Sequence, residues 1–314
     1  MAILTVGPGK QFATLLSAIV ASHDGDTIRV QAGVYTNDFA TISTNISLVG
    51  IGGMVHLAAT KAIPNGKAIL VTYSNVTITN FEFSGAKVPS ENGAAIRYQA
   101  GQLSIDRCHL HDNEEGLLGA SSPSGTIAVS NSEFDHNGVG TPGTAGYGLT
   151  HNLYVCQVDT LKITGSYFHD AVVGHEIKSR ANNTIIQNSR IQDGPHGTAS
   201  YSIDLPNGGN AIIQNNVIDK GQSSEEPIII AIGEEGSIRA TTNIQISGNT
   251  IINHLNSPSS LAIWNKTDAM AQINDNKFFG LTTAQIVSGP HTQINNGIEP
   301  GVSTSHPCCR AKDR

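Results

Sequence analysis

The chain is poor in charge and in aromatic rings. Of its 314 residues, 14% are charged, 5% are Phe, Trp or Tyr, and there is a single Trp. So few rings exclude a thick core built on large side chains. With hydrophobic content at 39%, a thin core of stacked Ile, Val and Leu fits better. Basic charge is also scarce: the net charge is −7 and the pI lies near 5.9, which excludes a broadly basic surface for nucleic acid or an anionic membrane. No apolar run approaches the roughly 20 residues that cross a bilayer. The four cysteines form no disulfide framework. Cys108 and Cys156 read as small apolar residues, and Cys308 and Cys309 lie in a polar segment with only His306 beside them. The opening "MAILTVGPGKQFATLL" lacks a basic stretch and a small-residue cleavage site, so it is not a recognisable secretory signal.

What is present is one pattern written eight times. An apolar residue, a polar turn and a second apolar residue five positions on recur as Ile78/Phe83, Ile105/Leu110, Val129/Phe134, Ile163/Phe168, Ile186/Ile191, Ile213/Ile218, Ile246/Ile251 and Ile273/Phe278. Two residues after each first member stands Asn80, Arg107, Asn131, Gly165, Asn188, Asn215, Gly248 or Asp275. Most are Asn or Gly, which accept a left-handed corner at low cost. Spacings of 23 to 34 residues mark a solenoid, each repeat burying a few aliphatic side chains and depending on its neighbours for a core.

Phe12, Leu15, Leu16 and Ile19 have the spacing of one short amphipathic helix over 11–22, suited to plug the open end of such a stack. "GDTIRVQAGVYTN" (25–37) follows as a strand entering a Gly turn. A helix before "GDTI-V--G-Y" resembles the opening of pectin-lyase-like proteins. The resemblance implies an all-β fold: a single-stranded, right-handed parallel β-helix with three strands per coil and an N-terminal capping helix. The expected organisation is a β-helix domain over 1–285 and a flexible tail over 286–314.

Each coil has a further alternating strand, read at 94–99, 116–121, 151–157, 175–181, 201–207, 228–233 and 261–266. Aligning Ile96, Leu118, Leu153, Ile177, Ile203 and Ile263 as buried puts Arg97, Gly119, Tyr154, Lys178, Asp204 and Trp264 in one outward column. Asn152, Glu176 and Ser202 fall in a second. Strands about 4.8 Å apart set these side chains shoulder to shoulder. Arg180 projects one step further along, and Asn207 lies beyond Asp204. His151, His175 and Tyr201 share a column at the strand starts. They read either as a hydrogen-bonded stack across coils or, with Tyr154, as a source of the general acid. Trp264 and Tyr98 are candidate platforms for sugar rings. Loops over 135–150 and 219–226 would wall a groove on either side.

"GHEIKSRANNTIIQN" (174–188) resembles a stretch of the β-helical polysaccharide lyases that include alginate lyases and chondroitinase B. The resemblance implies Lys178 as the proton-abstracting base, Glu176 in an acidic cluster that binds Ca2+, and an acidic polysaccharide as partner; Asp204, on the neighbouring strand, is the second carboxylate such an ion would meet. The family's assisting Arg has no counterpart in "LPNG" (205–208), which leaves Arg180 as the nearest guanidinium. The reaction implied is β-elimination on a uronate. A cation neutralises the carboxylate, a base takes the adjacent proton, and a donor protonates the leaving oxygen. Lys178 reads equally as an ammonium paired to Asp204 or Glu176 in a surface network. Glycoside hydrolysis by Glu176 and Asp204, uronate epimerisation, and a non-catalytic glycan-binding or structural β-helix (a phage tail or surface component) stand as alternatives. A lyase would be expected outside the cell or on its surface, reached by another export route.

Overall fold

The eight apolar pairs form two unbroken columns. In the computed structural model, Leu48, Ile78, Ile105, Val129, Ile163, Ile186, Ile213, Ile246 and Ile273 pair in parallel from coil to coil. Leu57, Phe83, Leu110, Phe134, Phe168, Ile191, Ile218, Ile251 and Phe278 do the same on the next face. Almost all are fully buried. The structure describes residues 1–299 except 196, 237, 238, 241 and 242.

The eight residues between the members of each pair all adopt a left-handed conformation, from φ 49° at Asn131 to φ 66° at Gly248. That backbone turns the chain sharply enough for both flanking residues to point inward. The next residue then turns into the stack. Asn216, Asn249, Asn276 and Asn296 form a ladder in which each side-chain amide donates to the Oδ1 of the next at 2.9–3.2 Å. Asn249 is fully engaged. Its Nδ2 also donates to the Ile213 carbonyl at 2.8 Å, and its Oδ1 accepts from the Asn216 backbone N–H at 2.9 Å. Asn249→Ala is expected to lower stability by about 2–4 kcal/mol, because it strands buried groups that each cost about 1–3 kcal/mol unpaired. Urea unfolding measures the loss.

The third face is a ten-stranded parallel ladder from Ala40–Ile42 to Val287–Ser288, and three such faces close the right-handed parallel β-helix. The capping helix is shorter than expected, Leu15–Ala21, because Phe12 is drawn into a bridge with Val6. Leu15, Ala18 and Ile19 cover the end of the core. The Asp38 carboxylate accepts from the Leu15 and Leu16 N–H groups at 2.5 and 2.9 Å, satisfying donors the helix itself cannot.

At the other end the solenoid runs further than expected. His291–Ile294 and Gly297–Glu299 extend two faces, so the boundary at 285 falls one coil short. Backbone pairing carries this coil although its outer sequence is polar. Residues 300–314, with Cys308, Cys309 and His306, lie outside the described residues. Cys108 is buried and Cys156 half-buried, both unbridged.

Candidate active site

The groove-facing column on the third face runs Arg97, Leu118, Tyr154, Lys178, Asp204, Ala231 and Trp264. Leu118, not Gly119, stands outward, because Leu117 aligns with Ile96 and Leu153. Both leucines are apolar neighbours, so alternation alone could not choose the register. Tyr154, Lys178 and Asp204 are adjacent, as expected.

The row of Asn152, Glu176 and Ser202 is not outward. All three are buried. The chain bends just before each strand begins, and this residue turns into the corner. There Asn137 Nδ2 donates to Asn152 Oδ1 at 2.8 Å and Asn152 Nδ2 donates to Glu176 Oε2 at 2.5 Å, while Glu176 Oε1 accepts from the Ala171 N–H at 3.0 Å. Burial, reinforced by the nearby Asp193 charge, pushes the Glu176 carboxyl up to about 8. Glu176 and Asn152 are therefore parts of the corner ladder. They join neither a metal site with Asp204 nor a sugar-facing surface.

The residues one step earlier make the stack that the sequence suggested. The His151 and His175 rings are parallel with centroids 4.8 Å apart, and His175 and Tyr201 follow at 5.0 Å. His151 Nδ1 accepts from the His175 backbone N–H at 2.9 Å, and His175 Nδ1 accepts from the Tyr201 N–H at 3.0 Å. Each neutral ring therefore carries its proton on Nε2. Burial, then the neighbouring positive charges, holds both well below the ordinary histidine range. His175 turns Nε2–H toward Asp204 Oδ2 at 3.2 Å. With the one lone pair occupied, neither ring can serve as a base.

Lys178 is flanked by carboxylates. Its Nζ lies 2.9 Å from Asp204 Oδ2 and donates to Glu235 Oε1 at 2.6 Å. Burial pulls this ammonium down, but Asp204 and Glu235 outweigh it and hold its pKa above the ordinary value. Burial also pushes Asp204 up to about 7, with Lys178 pulling against it and Glu234 adding to the rise. Arg180 completes the group: Nε donates to the Tyr154 hydroxyl at 2.8 Å, Nη1 to Asn207 Oδ1 at 2.5 Å and Nη2 to Glu235 Oε2 at 2.5 Å. Asn207 Nδ2 in turn donates to the Gly236 carbonyl at 2.8 Å, anchoring the segment that carries Glu235. Burial raises the Tyr154 phenol, and the Arg180 hydrogen bond moderates the rise.

Glu234 and Glu235 do not stand out in the sequence. Their one trace is the 33 residues from Ile213 to Ile246, against 27 in the coils on either side. That excess belongs to two excursions, the expected one over 219–226 before the strand and an unexpected one after Ile232. The groove walls differ accordingly. Loops 135–150 and 219–226 stand on the same side, where Tyr147 OH donates to Glu225 Oε1 at 3.1 Å. The segment carrying Glu234 and Glu235 lies at the other end of the strands. Trp264 is two strands beyond Asp204, with Lys266 Nζ 4.8 Å from its ring centroid. Tyr98 is in the core, its hydroxyl donating to the Gly101 carbonyl at 2.7 Å, so it presents no platform.

Asp204, Glu234 and Glu235 each bring a carboxylate oxygen within 4.8 Å of the others, and oxygen is the donor calcium takes. The Lys178 ammonium, at 2.6 and 2.9 Å from two of them, already fills the place of a cation. With Lys178 there, these residues do not fit a calcium ion.

No family model and no curated protein matches the chain. Among solved structures, an alginate lyase from Paenibacillus sp. str. FPU-7 superimposes with a TM-score of 0.65 and 17% identity, covering 95% of this chain and 99% of its own. Pectate lyase Pel9A gives 0.58 and 13%, covering 97% and 82%. At these identities the likeness establishes the shared parallel β-helix fold, one on which polysaccharide lyases are built.

Proposed function

We propose that the chain is a polysaccharide lyase that cleaves an acidic, uronate-containing polysaccharide by β-elimination, with Arg180, Lys178 and Tyr154 as its working groups. One observation carries this reading. Arg180 and Lys178 together grip a carboxylate, that of Glu235, by both oxygens, beside a phenol held by the same guanidinium. Arg180 supplies the fixed cation that a uronate carboxylate needs, and Lys178 stands beside it in reach of the adjacent C–H. Neutralising the carboxylate's charge acidifies that C–H.

In this reading an incoming uronate carboxylate displaces the half-exposed Glu235 from Arg180. Lys178 then keeps only Asp204 as a partner, and without the Glu235 carboxylate that helps hold its pKa up it loses its proton to solvent more readily. Lys178 takes the proton beside the carboxylate and Tyr154 protonates the departing glycosidic oxygen. His151 and His175 hold the strand starts in line, and His175 turns its Nε2–H toward Asp204. Hydrolysis by a Glu176–Asp204 pair loses support, because Glu176 is closed inside the corner.

The test is to incubate the chain with polyuronates and follow the ultraviolet absorbance of unsaturated ends. Accumulation supports elimination. Reducing ends without that absorbance would indicate hydrolysis, and binding with neither would indicate a glycan-binding module. Chelating divalent ions is expected to leave the rate unchanged, since the Arg180 guanidinium neutralises the carboxylate.

Glu235→Gln gives a pH test. Lys178 must lose a proton to act, so kcat/KM rises with pH on a limb set by its pKa. Glu235 raises that pKa, so the substitution is expected to move the limb to lower pH. On the acid side of the limb the rate should climb by up to about tenfold for every pH unit the limb travels. KM should also fall, because an internal competitor is gone. A limb that stays in place would reject Lys178 as the group that titrates.

A further inference from the structure

Away from the Lys178 groove, histidines and carboxylates concentrate on the outer side of the second face. His56 pairs with Glu82 across adjacent strands, and Glu82 with His109. His111 follows two residues on, again outward. His111 Nε2 lies 3.1 Å from Glu82 Oε1 and His56 Nδ1 lies 3.5 Å from the same oxygen. The donor atoms of His56, Glu82 and His111 all fall within 4.8 Å of one another. Around a tetrahedral zinc ion, bonds of about 2.0–2.1 Å set neighbouring ligand atoms about 3.3–3.4 Å apart. The two distances bracket that separation.

The far nitrogens of both rings are held as well. His111 Nδ1 is 2.7 Å from Asp112 Oδ2. A carboxylate only accepts, so Nδ1 carries a proton and, in the neutral ring, the Nε2 lone pair faces Glu82. His56 Nε2 is 2.7 Å from Ser84 Oγ, which can accept its proton and leave the Nδ1 lone pair turned the same way. Three electron-rich atoms then converge on one point. Outer carboxylates and hydroxyls fix metal-bound imidazoles in this manner. The side chains of His56, Glu82 and His111 are 24%, 27% and 18% exposed, enough to admit an ion and leave its fourth position to water. The neighbouring group of His109, Glu133 and Asp135 is less suited. There His109 Nε2 is already 2.5 Å from Asp135 Oδ1 and its ring is stacked on His111 with centroids 4.3 Å apart.

We propose that His56, Glu82 and His111 bind a divalent transition-metal ion of the zinc class, with Asp112 and Ser84 orienting the two imidazoles. The ion pins three successive coils together on a face separate from the groove.

The experiment is a titration of the full chain, first freed of metal, with Zn2+ by calorimetry and with Co2+ by visible absorption. One saturable ion, a tetrahedral cobalt spectrum and a rise in the thermal midpoint with Zn2+ are expected. Glu82→Gln and His56→Ala should each abolish the tight binding and the thermal rise. Asp112→Asn should weaken affinity about 10- to 100-fold. His109→Ala, one position outside the triad, should bind as the parent does. Thermal unfolding of each variant without metal checks that it folds. Unsaturable uptake, or binding that survives Glu82→Gln and His56→Ala, overturns the proposal. Loss on His109→Ala alone also overturns it, by assigning the ion to the neighbouring group.

Discussion

Lys178→Ala is expected to lower the rate of elimination by about 10²- to 10⁴-fold, the range a positioned acid or base supplies. Lys178 faces the groove, touches a buried carboxylate and shares an anion with Arg180. Removing it leaves Asp204 without its cation. That carboxyl already has its pKa raised to about 7, so taking up a proton restores neutrality at small cost near neutral pH, and the coil should stay folded. The decisive comparison is activity against unfolding midpoint in the same preparation. Full activity in a folded variant removes Lys178 from the chemistry, and a collapsed fold would call for Lys178→Gln, which keeps length and loses the basic amine.

The largest effect on stability is expected from Phe134→Ala, about 3–5 kcal/mol by denaturant unfolding. Phe134 is fully buried, stacks on Phe168 with centroids 4.6 Å apart and pairs with Leu110 on the coil before. The core is one residue thick on each face, so a deleted ring has little from which to refill. Coils contact only their neighbours, so the loss should be felt as a weak joint between two halves of the stack. A broadened transition, or a second one appearing in the variant, is the expected signature. A change below about 1 kcal/mol would mean that the ring is dispensable and that the core relaxes around the gap.

These two residues are legible for different reasons. Phe134 follows from a repeat that keeps an apolar residue at both ends of a left-handed corner, and all eight such corners take that conformation. Lys178 beside Asp204 and Tyr154 follows from counting outward positions along strands in register. The same counting misleads at Leu117, where two leucines in a row allow either alignment, and at Asn152 and Glu176. Alternation assumes a straight strand, and the chain turns a corner there. Glu235 is not legible at all. It reaches Arg180 from a segment 55 residues further along the chain, with no periodic pattern to announce its direction.

The amino-acid order alone determined that this chain stacks, and where each coil turns. Burying aliphatic side chains at a fixed interval leaves a polymer of this composition few other ways to leave water. Which polar groups meet in the groove was decided only once the coils were closed. Bends at the strand starts and the paths of the connecting loops depend on contacts between distant parts of the chain, and the positions of Glu176 and Glu235 depend on both.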